Sequence, residues 1–284
     1  MSNRQLREIP LRARSTARHG RSLFLIALSV CIALAVVSPL GQTASPEAIR
    51  IAAAADLQFA MAELATQYQA KSGQSLDVTY GSSGNFFSQM QNGAPFDLFF
   101  SADIDYPRKL ESLGFAEPGT LYLYAIGRIV LWAPADSKLD VTRGWDVLRD
   151  PGVRKISIAN PEHAPYGRAA VAALRTAGIY DQVSGKLIYG ENISQAAQFV
   201  QSGNAQVGVV ALSLAISPAM SDGHRWEIPA NLYPPIEQGV VVLKASKNKR
   251  AAISFLDFVK SDFGHTTLEK FGFSISPAAS QASQ

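Results

Sequence analysis

The chain has 284 residues, 47% of them hydrophobic and 17% charged, with a net charge of +3 and a single cysteine, Cys31. Six arginines and one glutamate fall in the first 44 residues, so the remaining 284 − 44 = 240 residues carry about −2 (+3 less +5). That balance argues against a nucleic-acid partner, and the lack of cysteine beyond residue 44 excludes a disulfide framework, a thiol nucleophile and a cysteine metal site.

Residues 1–44 read as a secretory signal. Arg4, Arg7, Arg12, Arg14, Arg18 and Arg21 precede an apolar run, Leu23 to Val37, and SPLGQTA then supplies small, helix-breaking residues up to Ala44. The run of 15 residues falls short of the ~20 that a spanning helix needs. Export with cleavage after Ala44 is therefore expected. Cys31 has Val30 before it and IALAVV after it, which does not suit lipid attachment.

Beyond the leader the pattern is strand, loop, helix, repeated. IRIAAA (Ile49–Ala54) reads as a buried strand, and Leu57, Ala60, Met61, Leu64, Ala65 and Tyr68 then fall on one helical face. LDVTY is a second strand, and Phe86, Phe87 and Met90 mark the next helix. FDLFFS is a third strand, followed by a polar helix through Arg108–Ser112 and a continuous apolar stretch, Leu121–Pro134. The rhythm then restarts. KISIAN, KLIYG and AQVGVVAL read as strands, with helices between them that end at Gly178 and Gly203. EQGVVVL is a late strand, and AAISFLDFV and TTLEKF are closing helices. Such alternation implies an α/β protein with mostly parallel sheets covered on both faces, here in two lobes. The strand around Val240–Leu243 is expected to return the chain to the first lobe.

Four helices begin directly after strands, in AAADLQF, YGSSGNFF, PEHAPYGRAA and GENISQAA. Ligands of open α/β sheets bind at the carboxyl ends of strands, where helix N-termini offer unpaired N–H groups and partial positive charge suited to an anion. Asp56 is expected as one N-cap, Ser82 or Ser83 as another, and Asn192 with Ile193 opens the fourth helix. GSSG is not the G-x-S-x-G hydrolase elbow, because Gly84 follows Ser83 directly. A hydrolase built on Ser83, His163 and a carboxylate remains a competing reading, and His163 alone makes no metal site. Asp97 and Asp103 read as caps or structural carboxylates.

Taken together, IAAAADLQFAMAELATQY, YGSSGNFFSQMQNGAPFDLFFSAD, YAIGRIVLWAP, IANPEHAPYGRAA, GENISQAAQFV and YPPIEQGVVV resemble the periplasmic molybdate-binding proteins of ABC transporters, from about Ile49 to Pro277. The resemblance implies a type II periplasmic binding protein: two α/β lobes with mixed, mostly parallel sheets, joined by two crossover strands. It places lobe 1 at 45–126 with 237–284, and lobe 2 at 127–236. It implies a receptor and not an enzyme, without a cofactor, which captures molybdate or tungstate between the lobes. A membrane permease would be its partner, and the receptor is expected to be monomeric. The alternative is a receptor for another small oxyanion, sulfate or phosphate.

By position, the resemblance assigns oxyanion contacts to Ala55 and Asp56 in the first loop, to the Ser83 hydroxyl and N–H, to Tyr166, and to the Ile193 N–H. The metal would be held only as the oxyanion, through these residues and without direct metal ligands. A tyrosine that some relatives carry on a later strand is Ala211 here, and the Tyr166 hydroxyl is expected to replace it. Asp56 is the awkward member, because a carboxylate repels a dianion. It could turn away and cap its own helix, it could be protonated in the complex, or it could accept a proton from the ligand. The first is the expectation, since Asp is a common N-cap.

Overall fold

The computed structural model describes residues 47–275, so the leader 1–44, with Cys31 and the cleavage position, lies outside the described residues. The first part of the chain runs β1 (Ile49–Ala54), α1 (Gln58–Ser72), β2 (Leu76–Gly81), α2 (Ser83–Gln91), β3 (Leu98–Ser101), α3 (Asp105–Ser112) and β4 (Tyr122–Gly127). The second part runs β5 (Ile129–Ala133), β6 (Ile156–Ala159), α4 (Pro165–Thr176), α5 (Tyr180–Val183), β7 (Leu187–Gly190), α6 (Ile193–Gln201), β8 (Val207–Ala211), α7 (Leu212–Ala215) and β9 (His224–Glu227). β10 (Ile236–Val242), α8 (Lys249–Val259) and α9 (Asp262–Lys270) close the described chain.

These elements form two lobes, each built on one five-stranded sheet. The first sheet has the order β2-β1-β3-β10-β4, and the second β7-β6-β8-β5-β9. β1 is parallel to β2 and β3, while β10 is antiparallel to β3 and β4. β6 is parallel to β7 and β8, while β5 is antiparallel to β8 and β9. The late strand β10 therefore returns to the first sheet, as its position in the sequence suggested. The chain crosses between sheets twice, through Arg128 and through residues 228–235. The apolar stretch Leu121–Pro134 carries the first of these crossings. It breaks at Gly127-Arg128, and its halves join different sheets.

Strands β1, β3 and β5 are buried almost throughout, as expected where helices cover both faces of a sheet. On one face of the first sheet, Met61 and Leu64 of α1 pack with Phe255 and Leu256 of α8 and Leu268 of α9; on the other, Phe86 and Met90 of α2 pack with Phe99 and Leu110. Gly73 stops α1 in the left-handed region at φ 72°, where a side chain would be strained. Asp97 is a structural carboxylate. It accepts from the Arg50 N–H at 2.8 Å and from the Ser246 hydroxyl at 2.7 Å, and so ties the start of β3 to β1 and to the loop after β10.

Phe255 is fully buried and meets Tyr68 edge-on at 5.0 Å and Phe100 at 6.0 Å. Truncating it to alanine removes those contacts and leaves a cavity, at an expected cost of about 3–5 kcal/mol. Denaturant unfolding of Phe255→Ala against the wild type measures this directly. A loss below 1 kcal/mol would mean that this core collapses around the gap.

Candidate functional site

The carboxyl ends of β1, β2, β6 and β7 converge, and the turns that leave them enclose a small cavity. A short 3₁₀ turn, Ala55–Leu57, follows β1; α2 opens at Ser83, two residues beyond β2; α4 opens at Pro165; α6 opens at Ile193. The wall comprises Ala54, Ala55, Asp56, Gly81, Ser82, Ser83, Ala102, Ala164, Pro165, Tyr166, Asn192 and Ile193. All five residues assigned from the sequence, Ala55, Asp56, Ser83, Tyr166 and Ile193, therefore meet around one space. About 10 Å³ is open there, roughly the room of one water molecule.

Among the described residues, no lysine or arginine lines this wall. Arg168, one turn into α4, is held by Asp103 and directs a second nitrogen at the Tyr106 hydroxyl, 3.3 Å away. It borders a separate, wider groove of about 440 Å³, which contains none of those five residues except through the shared neighbours Ala102 and Pro165. The cavity chemistry thus rests on hydroxyls, on one carboxyl group and on the amides of first helical turns, which have no acceptor within their own helices.

Ser83 is fully buried, and its oxygen accepts the Ala102 N–H at 2.9 Å. Its own proton is left to donate. Ser82 occupies the N-cap position of α2, but neither serine makes a side-chain capping bond. The expected serine cap is corrected: the Ser83 oxygen is turned to Ala102, and the buried Ser82 hydroxyl has no partner among the described residues. Sequence reasoning missed Ser82 as a wall residue, although the doubled serine of GSSG was the available signal. Asn192 does cap α6, accepting the Gln195 N–H at 3.0 Å.

Asp56 also departs from expectation. It lies inside the 3₁₀ turn, no side chain caps that turn or α1, and its carboxyl is 1% exposed. Its Oδ2 accepts the Tyr166 hydroxyl at 2.8 Å and the Gln238 amide at 2.6 Å. The Gln238 oxygen in turn accepts the Tyr124 hydroxyl at 2.6 Å. The carboxyl is thus the hub of a buried polar cluster drawn from both lobes, and Oδ1 has no partner among the described residues. The expected replacement contact from Tyr166 is corrected with it, because the single phenolic proton is committed to Asp56.

Burial pushes the Asp56 carboxyl up to about 6, against the downward pull of the Gln238 and Tyr166 hydrogen bonds. Burial and the Asp56 charge hold the Tyr124 and Tyr166 hydroxyls well above their ordinary value, so both remain donors. Since the folded carboxyl titrates above its unfolded value, its neutral form favours the folded state. That contribution is present in full below the unfolded value and is lost as pH rises through about 6.

Contacts across the cleft hold the lobes together. The Gly84 N–H donates to the His163 carbonyl at 2.9 Å, the Ser194 hydroxyl to the Ala55 carbonyl at 3.0 Å, and the Ser213 hydroxyl to the Asp56 carbonyl at 2.8 Å. Asn85 and the His163 ring both approach Glu191. Ser83 is thus bonded to Ala102 and His163 to Glu191, and no serine–histidine–carboxylate relay forms among the described residues.

Comparison with known proteins gives the same picture. The sequence model of the family described as bacterial extracellular solute-binding protein matches residues 49–274. The chain is 36% identical to the molybdate-binding protein ModA of Azotobacter vinelandii over 228 residues, 80% of this chain and 90% of that one. It is also 36% identical to the molybdate-binding protein ModA of Rhodobacter capsulatus, covering 85% of this chain and 94% of that one. The solved structure of the Azotobacter vinelandii periplasmic molybdate-binding protein superposes with a TM-score of 0.76 at 35% identity, covering 80% of this chain and 99% of that one.

Proposed function

The chain belongs to the family of bacterial extracellular solute-binding proteins, and from that premise we propose that it captures molybdate or tungstate for uptake by an ABC transporter. The observation that carries this reading is the cavity itself, a small space lined by hydroxyls, first-turn amides and one carboxyl group, with no cationic side chain among the described residues. Molybdate and tungstate are proton-free dianions at neutral pH and accept hydrogen bonds only, so a ring of donors complements them. The Ser83 hydroxyl and N–H, with the amides of Ala55, Asp56, Tyr166 and Ile193, would hold the oxygens. Sulfate has the same charge in a smaller tetrahedron, so cavity size must reject it.

Binding proceeds on this account by closure. The anion meets one lobe, and the other swings over it about the two crossings between sheets. The register shift in β10 between Gln238 and Gly239 lies beside one crossing, within the Glu237–Gly239 hinge segment. Tyr124–Arg128 is the other hinge segment. The lobes are taken as 45–126 with 237–284, and 127–236. The exported protein would act as a monomer in the periplasm, where its closed shape is what a permease recognises.

The test is calorimetric titration of the mature chain, Ser45 onward, with molybdate, tungstate, sulfate and phosphate. Tight binding of the first two alone supports the reading. A preference for sulfate or phosphate would leave the family standing and replace the ligand.

A further inference from the structure

Resting on the oxyanion-receptor reading, we propose that Asp56 is a proton site in the binding cavity. Capture of the dianion takes up one proton from solvent, the proton resides on Asp56 Oδ1, and the carboxyl then donates to an anion oxygen. The geometry divides the two oxygens of this group. Oδ2 already accepts two donors, Tyr166 at 2.8 Å and Gln238 at 2.6 Å, and is suited to remain the carbonyl-like oxygen. Oδ1 is buried without a partner, on a residue of the cavity wall. Left ionised, it would be an orphaned charge beside a dianion; protonated, it becomes one more donor in a cavity of donors.

Among the described residues, no cationic side chain hydrogen-bonds Asp56 or lines its cavity. Tyr166 of α4 and Tyr124 of β4 are the titratable groups of its cluster, Gln238 of β10 is neutral, and Ser213 of α7 holds its backbone carbonyl. Arg168 of α4 is engaged by Asp103 and Tyr106, and the His163 ring faces Glu191. Proton uptake is therefore the route left for charge relief. The balance is complete: the anion enters as a dianion, the hydron comes from solvent or buffer, and no bond to molybdenum or tungsten changes. An anion that arrives already protonated brings the proton itself, with Oδ1 as the acceptor, so hydrogen phosphate would need no uptake.

The decisive measurement is calorimetric titration of the wild-type protein with molybdate, in two buffers of different ionisation heat, between pH 7 and pH 9. The expected result is uptake of close to one proton per anion, with affinity falling about tenfold for each pH unit. Asp56→Asn should bind without proton uptake and with affinity flat across the same range. Tight wild-type binding with no proton uptake and no pH dependence would overturn this proposal and leave the receptor reading intact. Failure of the wild type to bind molybdate or tungstate at any of these pH values would overturn both. Because the wild-type titration decides the matter by itself, the outcome does not depend on whether the variant folds.

Discussion

Replacing Gly84 with valine is expected to weaken oxyanion binding at least a hundredfold while leaving the fold intact. Gly84 is the second residue of α2, and its N–H donates to the carbonyl of His163 in the loop between β6 and α4, across the cleft. A β-carbon built there would stand 2.7 Å from that carbonyl oxygen and 3.0 Å from the His163 α-carbon. Both are backbone atoms of the opposite lobe, so neither can yield as a flexible side chain would. The third neighbour, the Tyr106 hydroxyl at 2.9 Å, is the free end of a side chain and can move. Gly84 is helical, so valine adds no left-handed strain. The clash therefore exists only when the lobes are together.

Held open, the protein keeps the donors of Ser83 and the first loop but loses those of Tyr166 and Ile193. Each hydrogen bond to a charged ligand contributes about 1.5–3 kcal/mol, and two of them amount to roughly 3 kcal/mol or more, a factor of at least about 100. Calorimetric titration measures the affinity, and thermal melting without ligand checks the fold. Small-angle scattering with saturating anion should show the wild type compact and Gly84→Val extended. Binding at wild-type strength would mean that the Gly84–His163 approach is not part of the bound form.

Much of the fold could be read along the chain because strand and helix signals are local. Where a segment was misread, its role depended on the partner sheet. His224–Glu227 gives no strand signal because β9 is a mostly exposed edge strand of polar residues, recognisable only by its pairing with β5. Leu212–Ala215 continues the apolar run of β8, and four buried residues are too few to separate a helical period from a strand.

The site divides in the same way. Its four chain turns carry local signatures, glycines and hydroxyls between a strand and a helix, and they converge because the strands do. The hydrogen bonding of Asp56 carries no local signature. Its partners Tyr166 and Gln238 lie 110 and 182 residues away, and as an isolated Asp before a helix it looks like a cap. Gln238 stands in EQGVVV as an unremarked polar residue of a strand, yet it links Tyr124, Tyr166 and Asp56.

Replacing Ser83 with alanine should affect both affinity and stability, and the contrast with Ser82 separates the two. The Ser83 oxygen braces the loop after β3 by accepting the Ala102 N–H, and Ala102 is 2% exposed. Alanine leaves that amide buried and unsatisfied, at about 1–3 kcal/mol of folding stability. It also removes the proton that the hydroxyl donates to the anion, worth about 1.5–3 kcal/mol, or roughly 10- to 150-fold in affinity. The Ser82 hydroxyl makes no hydrogen bond among the described residues, so Ser82→Ala should leave stability unchanged and lower affinity only if that buried hydroxyl reaches the anion. Paired denaturation and titration curves for the two variants distinguish these effects. A Ser83→Ala protein that is less stable but binds as tightly as the wild type would reduce Ser83 to a brace and move the hydroxyl contact to Ser82. If both variants bind at full strength, the anion is held by backbone amides, the Ser83 hydroxyl serves the fold alone, and the Ser82 hydroxyl serves neither.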